Sequence, residues 1–154
     1  MKGATLAGIV DLILADHALM RKMTSDLRAL EGAESSSEEV EKAWESLASL
    51  LEAHADAEEA VLYPRIAAAV PDGGDQAEDA TKEHNEIRDS IGEVEEHDVG
   101  SELFWLAVAQ VAAVNEHHMA EEEQEILPSF NRSSTQSDRD ELGQSFEEYK
   151  RENG

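Results

Sequence analysis

Two segments of this chain repeat each other at an offset of 64 residues, and that repeat limits what the chain can fold into. The first reads His54-Ala-Asp-Ala-Glu58-Glu59-Ala-Val-Leu-Tyr-Pro64, the second His118-Met-Ala-Glu-Glu122-Glu123-Gln-Glu-Ile-Leu-Pro128. In each copy a His is followed four residues later by a Glu and ten residues later by a Pro. On a helix, side chains four apart share one face, about 6 Å apart along the axis. An imidazole and a carboxylate held that way can bind one metal ion or bridge two. A merely solvated charged face has no reason to reproduce the spacing.

The surrounding periodicity places both copies on helices. Apolar residues recur at steps of three and four in four long blocks separated by Gly, Ser and Pro clusters. The first block predicts a helix from Thr5 to Leu30, with Leu6, Ile9, Val10, Ile13, His17, Met20 and Leu27 on its apolar stripe. Ser36 and Glu39 form a capping-box pattern that opens a second helix, with Val40, Trp44, Leu47, Leu51, His54, Glu58 and Leu62 on one face. Pro64 is expected to kink it near its end. After Pro71-Asp72-Gly73-Gly74, Asp75 is expected to cap a third helix carrying Ala77, Ala80, His84, Ile87, Ile91 and Val94. Ser101 caps a fourth, with Phe104, Val108, Val111, Val114, His118, Glu122 and Ile126. Asn131 to Ser137 reads as polar loop, and Asp138 to Arg151 as a short terminal helix with Leu142, Phe146 and Tyr149 able to dock. No strand pattern is present. The fold class expected is all-α: an antiparallel up-down-up-down four-helix bundle over residues 1–131, followed by a polar loop and short C-terminal helix over 132–154.

Charge and composition narrow the functions. Lys and Arg total 12 against 36 Asp and Glu, a net charge of −24, which repels phosphate backbones and anionic lipid; neither nucleic acid nor membrane is an expected partner. There is no cysteine, so disulfides, iron–sulfur clusters and thiolate zinc sites are excluded. Asp11 and Asp16 interrupt the apolar N-terminal run, which therefore reads as an amphipathic helix rather than a leader, and a cytoplasmic location is expected. No Gly-rich phosphate loop or second domain is evident, so a sensing role would need a separate protein partner.

Each of the four long helices carries one His on its apolar stripe: His17, His54, His84 and His118. Glu58 and Glu122 fall on the same buried faces, where an unpaired carboxylate is strongly disfavoured. Four imidazoles and two carboxylates in one core neutralise each other best around metal. Nitrogen and oxygen donors without sulfur suit iron, manganese or zinc. Six donors are many for one ion and natural for two bridged by carboxylates, with solvent-derived oxo or hydroxo oxygen completing the bridge. Two iron ions are the first expectation, manganese the next, and zinc a lesser one because its usual sites are tetrahedral. His118 is preferred over its neighbour His117 by register with Glu122 and Pro128; His117 has its own partner at i+4 in Glu121. Glu59, Glu123 and Glu125 read as a solvated face, although Glu59 or Glu121 could fill a vacant coordination position. Trp44, Trp105, Phe104 and Tyr63 read as core, with Tyr63 close enough to Glu58 to tune a site through a hydrogen bond.

These residues resemble the hemerythrin-like, or HHE cation-binding, domain family. The resemblance runs from His17 to Pro128 and rests on Asp16-His17, the His54-to-Pro64 motif, Glu83-His84 and the His118-to-Pro128 motif, in that order. It implies an antiparallel bundle around a non-haem di-iron centre that binds dioxygen or nitric oxide, senses redox state or iron, or acts on peroxide. Oxygen-carrying members place a second His four residues after the third helix ligand, where this chain has Arg88, and an Asp five residues after the fourth helix His, where this chain has Glu122 at four. One iron is therefore expected to lack an imidazole or recruit another ligand, and reversible oxygen carriage is not implied. Ferritin-like proteins use Glu-x-x-His instead, with the opposite order and a shorter gap. The functional expectation is a di-iron protein binding or sensing dioxygen, nitric oxide or redox and iron status. The alternatives are an enzyme on the same centre, peroxide-decomposing or ferroxidase-like, and a metal-locked interaction module.

Overall fold

The fold was described for residues 7–153 in a computed structural model, and these residues form seven α-helices and two π-helical turns with no strand among them. Helix α1 spans Ile9–Arg28; the expected start at Thr5, with Leu6, lies outside the described residues. Helix α2 spans Ser37–Ala57 and opens with the expected capping box, Ser36 Oγ accepting from the Glu39 N–H at 3.1 Å. The chain then passes through a π turn, Glu58–Leu62, into α3, Tyr63–Ala69. Helix α4 is Gly73–Glu95 and α5 is Glu102–Glu121, capped by Ser101. A second π turn, Glu122–Ile126, leads to α6, Leu127–Ser133, and α7 spans Gln136–Asn153. Helices α1, α2, α4 and α5 form the four-helix bundle, with α1 against α2 and α4 against α5 as the two hairpins.

The two π turns are the structural content of the repeat. Proline has no N–H to donate four residues back, so a regular α-helix cannot run through Pro64 or Pro128 unchanged. Just before each Pro the ladder switches to a five-residue step, Tyr63 N–H reaching the Glu58 carbonyl and Leu127 N–H the Glu122 carbonyl. The expected kink at Pro64 is thus a π turn within a continuing helix. The extra residue rotates the helix beyond it, so that Glu58, Leu62, Tyr63 and Ile66 all stay buried.

Three other boundaries differ from the sequence reading. Asp72, not Asp75, is the residue before α4, and it sits in the left-handed region at φ 61°. Gly73 comes next because a Cβ there would lie 1.9 Å from the Ile66 carbonyl oxygen. The expected loop from Asn131 to Ser137 shrinks to Ser134 and Thr135, since α6 continues through Ser133 and Asp138 lies inside α7. The terminal helix is 18 residues long and docks on α1 and α2 through Leu142 and Phe146.

The core has two apolar layers. One is built from Met20, Leu27, Trp44, Leu51, Ile87, Phe104 and Val111, the other from Ile9, Ile13, Leu62, Ile66, Leu127, Phe130 and Phe146. Each stripe crosses from one layer to the other at its histidine: His17 lies between Ile13 and Met20, and His84 between Ala80 and Ile87. The polar residues therefore form a slab sealed by hydrocarbon on both sides.

Candidate metal centre

All six residues singled out in the sequence converge in that slab. His17, Glu58 and Glu122 have no exposure, and His54, His84 and His118 are at most 3% exposed. They form two donor groups, His17–His54–Glu58–Glu122 and Glu58–His84–His118–Glu122, in each of which one ligand atom per residue lies within 4.8 Å of every other. Each carboxylate serves both groups. Glu58 points Oε2 at His54 Nε2, 3.2 Å away, and Oε1 at His84 Nε2, 3.0 Å away. Glu122 points Oε1 at His17 Nε2, 3.1 Å away, and Oε2 at His118 Nε2, 3.3 Å away.

The outer ring nitrogens decide what the inner ones can do. His54 Nδ1–H donates to Asp16 at 2.7 Å, His17 Nδ1–H to Glu123 at 2.7 Å, His84 Nδ1–H to Glu59 at 2.7 Å and His118 Nδ1–H to Glu83 at 2.8 Å. A neutral imidazole whose Nδ1 keeps the proton presents a bare lone pair at Nε2. The four Nε2 atoms face the shared carboxylates, and those of His84 and His118 face each other across 3.0 Å. His54 Nε2 and Glu58 Oε2 are buried with no hydrogen-bond partner. Buried polar atoms are almost always satisfied, so an orphaned nitrogen and oxygen aimed at one point fit a cation there. The donor set fits a pair of ions held by imidazole and bridging carboxylate.

Three of the outer carboxylates are in turn held by a permanent cation. Lys150 Nζ lies 2.6 Å from Asp16, Arg21 Nη1 2.9 Å from Glu123 and Arg88 Nη1 2.9 Å from Glu59. Burial pushes Asp16, Glu59 and Glu123 up, but these cations and the histidines outweigh it and hold all three below the usual carboxylate range. Without metal the centre is a proton trap. Burial pushes the His54 imidazole down, yet the nearby Glu58 charge and the bond to Asp16 raise it to about 10. His118 rises in the same way, against burial and through Glu122, Glu58 and Glu83, to about 12. Burial pushes Glu58 up, but His54 and the bonds from His118 and His84 leave it well below its ordinary value.

Tyr63 joins the slab from the π turn. Its hydroxyl donates to Glu122 Oε2 at 2.6 Å and lies 3.1 Å from Glu58 Oε1 and 3.2 Å from His84 Nε2, its ring stacked on His84. Burial and the charges of Glu58 and Glu122 push it well above the usual phenol range, so it stays protonated. The equivalent residue of the other repeat is Leu127, so the two donor groups are alike in ligands and different in surroundings.

Several expectations change. Glu59 and Glu123 are not solvated bystanders; each accepts a bond from a histidine Nδ1–H. Arg88 faces outward to Glu59 and Asp56, and each donor group has two imidazoles, with no third one on either side among the described residues. His118 is the buried member of its pair and His117 is 73% exposed, placing Glu121 on the surface with it. Arg21 and Lys150 escaped the sequence reading. Arg21 had a signal: like Arg88, it follows its helix's histidine by four residues. Lys150 had none, because its role depends on how α7 docks.

The family model for the hemerythrin HHE cation binding domain matches residues 8–130, which spans every donor and both π turns. No curated protein and no solved structure matches the chain. The chain belongs to the hemerythrin HHE cation-binding domain family.

Proposed function

We propose that this is a non-haem di-iron protein that binds or senses a small diatomic ligand, dioxygen or nitric oxide. One observation carries the reading: Glu58 and Glu122 each direct one oxygen to each donor group, the arrangement two adjacent ions need from bridging carboxylates. His17 and His54 would hold one ion and His84 and His118 the other. Bound there, such a pair supplies redox chemistry and affinity for a diatomic ligand. The chain's own residues provide the rest. The apolar layers exclude bulk water, and the outer carboxylates keep the four imidazoles in the metal-binding tautomer. Tyr63 offers a hydrogen bond inside the slab.

A second reading, an enzyme acting on peroxide at the same centre, is favoured by Tyr63, which places a buried proton donor between both bridging carboxylates. Metal analysis of purified protein comes first, with about two iron ions per chain expected; a single tightly held zinc defeats the di-iron proposal. Optical spectra of the reduced protein on adding dioxygen and then nitric oxide test the binding reading. Rapid oxygen evolution from added peroxide, with no spectral change on either gas, would move the assignment to the enzyme.

A further inference from the structure

We propose that Glu83, His117 and Glu121 form a second, surface site for a divalent first-row metal ion, next to the buried centre and distinct from it. His117 Nε2 lies 3.1 Å from Glu121 Oε2 and 3.6 Å from Glu83 Oε2, and one donor atom from each residue falls within 4.8 Å of the others. One imidazole nitrogen and two carboxylate oxygens suit zinc, ferrous iron or manganese, with open positions left for water. His117 and Glu121 are an i, i+4 pair on α5, one residue out of phase with His118 and Glu122. The same helix thus carries one His-x-x-x-Glu facing in and another facing out.

The independent argument comes from the other three outer carboxylates. Asp16, Glu123 and Glu59 each pair with a histidine on one side and a permanent cation on the other: Lys150, Arg21 and Arg88. Glu83 is the fourth member of this set, and its Oε1 holds His118 Nδ1 at 2.8 Å. No Lys or Arg is paired with it among the described residues. Its other oxygen faces His117, which is not a permanent cation, and Glu121 brings a second carboxylate into the same group. A metal ion bound by Glu83, His117 and Glu121 supplies the missing positive charge and does for His118 what Lys150 does for His54. The site is reachable from solvent through the exposed His117.

The test is a calorimetric titration of the metal-loaded protein with zinc ion, with buried metal content measured before and after. Wild type is expected to take up one zinc per chain while its buried metal stays constant. His117→Ala and Glu121→Gln should each weaken that uptake by roughly tenfold or more, since each removes one of three ligands. Glu125→Gln, which removes a charge on the neighbouring turn, should leave it unchanged. Equal affinity in wild type and His117→Ala overturns the proposal, as does zinc uptake matched by loss of buried metal. The outcome is separate from the identity of the buried ions, because the site uses none of the six buried donors.

Discussion

Replacing Glu59 or Glu123 with Gln removes an acceptor that two groups share. His84 Nδ1–H and Arg88 both donate to Glu59, and His17 Nδ1–H and Arg21 both donate to Glu123. An amide is a poorer acceptor than a carboxylate and leaves each Arg with one carboxylate partner in place of two, Glu116 for Arg21 and Asp56 for Arg88. Each variant should fold and lose about 10- to 100-fold in metal affinity, measured by competition with a chelator; unchanged affinity would return these residues to the solvated face. Tyr63→Phe probes the inside of the slab. In metal-free protein it deletes the donor to Glu122 and should cost about 1–3 kcal/mol in urea denaturation. No loss would mean that the hydroxyl is not bonded there. The inward donors were legible in the sequence because burial forces a reason on every polar residue of an apolar stripe. The outward ones were less so, since Glu59 and Glu123 are charged residues in a chain full of them. Their signal was the repeat itself, which places a second Glu after the inward-facing Glu in both copies.

At the level of elements, helices were readable from periodicity and two of their starts from the Ser36 and Ser101 caps, but the π turns and the start of α4 were not. The stripe through His54 and Glu58 continues past Pro64 only because a π turn absorbs the missing hydrogen bond, and three-or-four periodicity has no symbol for a five-residue step. The polar composition of Asn131 to Ser137 suggested a loop, yet Phe130 buries there and carries α6 to Ser133. Helix α7 docks through Leu142 and Phe146 as expected, but its reach to the site from beyond the matched domain was not legible. Phe146 meets the His54 ring edge-on with centroids 5.7 Å apart, and Lys150 grips Asp16. Its docking depends on Gly143, where a Cβ would lie 2.4 Å from the Ala7 carbonyl oxygen and 3.1 Å from the Ile9 nitrogen. Both obstacles are backbone and cannot rotate away. Gly143→Ala should therefore push α7 off α1, cost about 1–3 kcal/mol, and speed chelator-driven loss of metal from the His17–His54 side. A variant as stable as wild type would show that α7 tolerates displacement and does not brace the site.

For the whole molecule, protons and metal compete for one set of lone pairs, and this competition sets the pH dependence of stability. In metal-free protein the folded values of His54 and His118 stand at about 10 and about 12, against an ordinary 6.5. A raised value means stabilisation that is complete below about 6.5 and lost as pH rises through the folded values. Glu58 works the other way: its lowered value stabilises above its ordinary 4.5, and that contribution fades as pH falls. The metal-free bundle should thus be most stable between about pH 4.5 and 6.5 and weaken into the alkaline range. Metal takes only deprotonated imidazoles, so its binding releases protons and strengthens as pH rises. Because bound ions stabilise the folded state by mass action, the gain in Tm on metal loading should grow from about pH 6 to about pH 8.5. Thermal melts of the metal-free and loaded forms at those two values check both halves. Metal-free protein that melts higher at the alkaline value would show that His54 and His118 are not held protonated by Glu58 and Glu122. A metal gain that shrinks with pH would place the ions somewhere other than on these imidazoles.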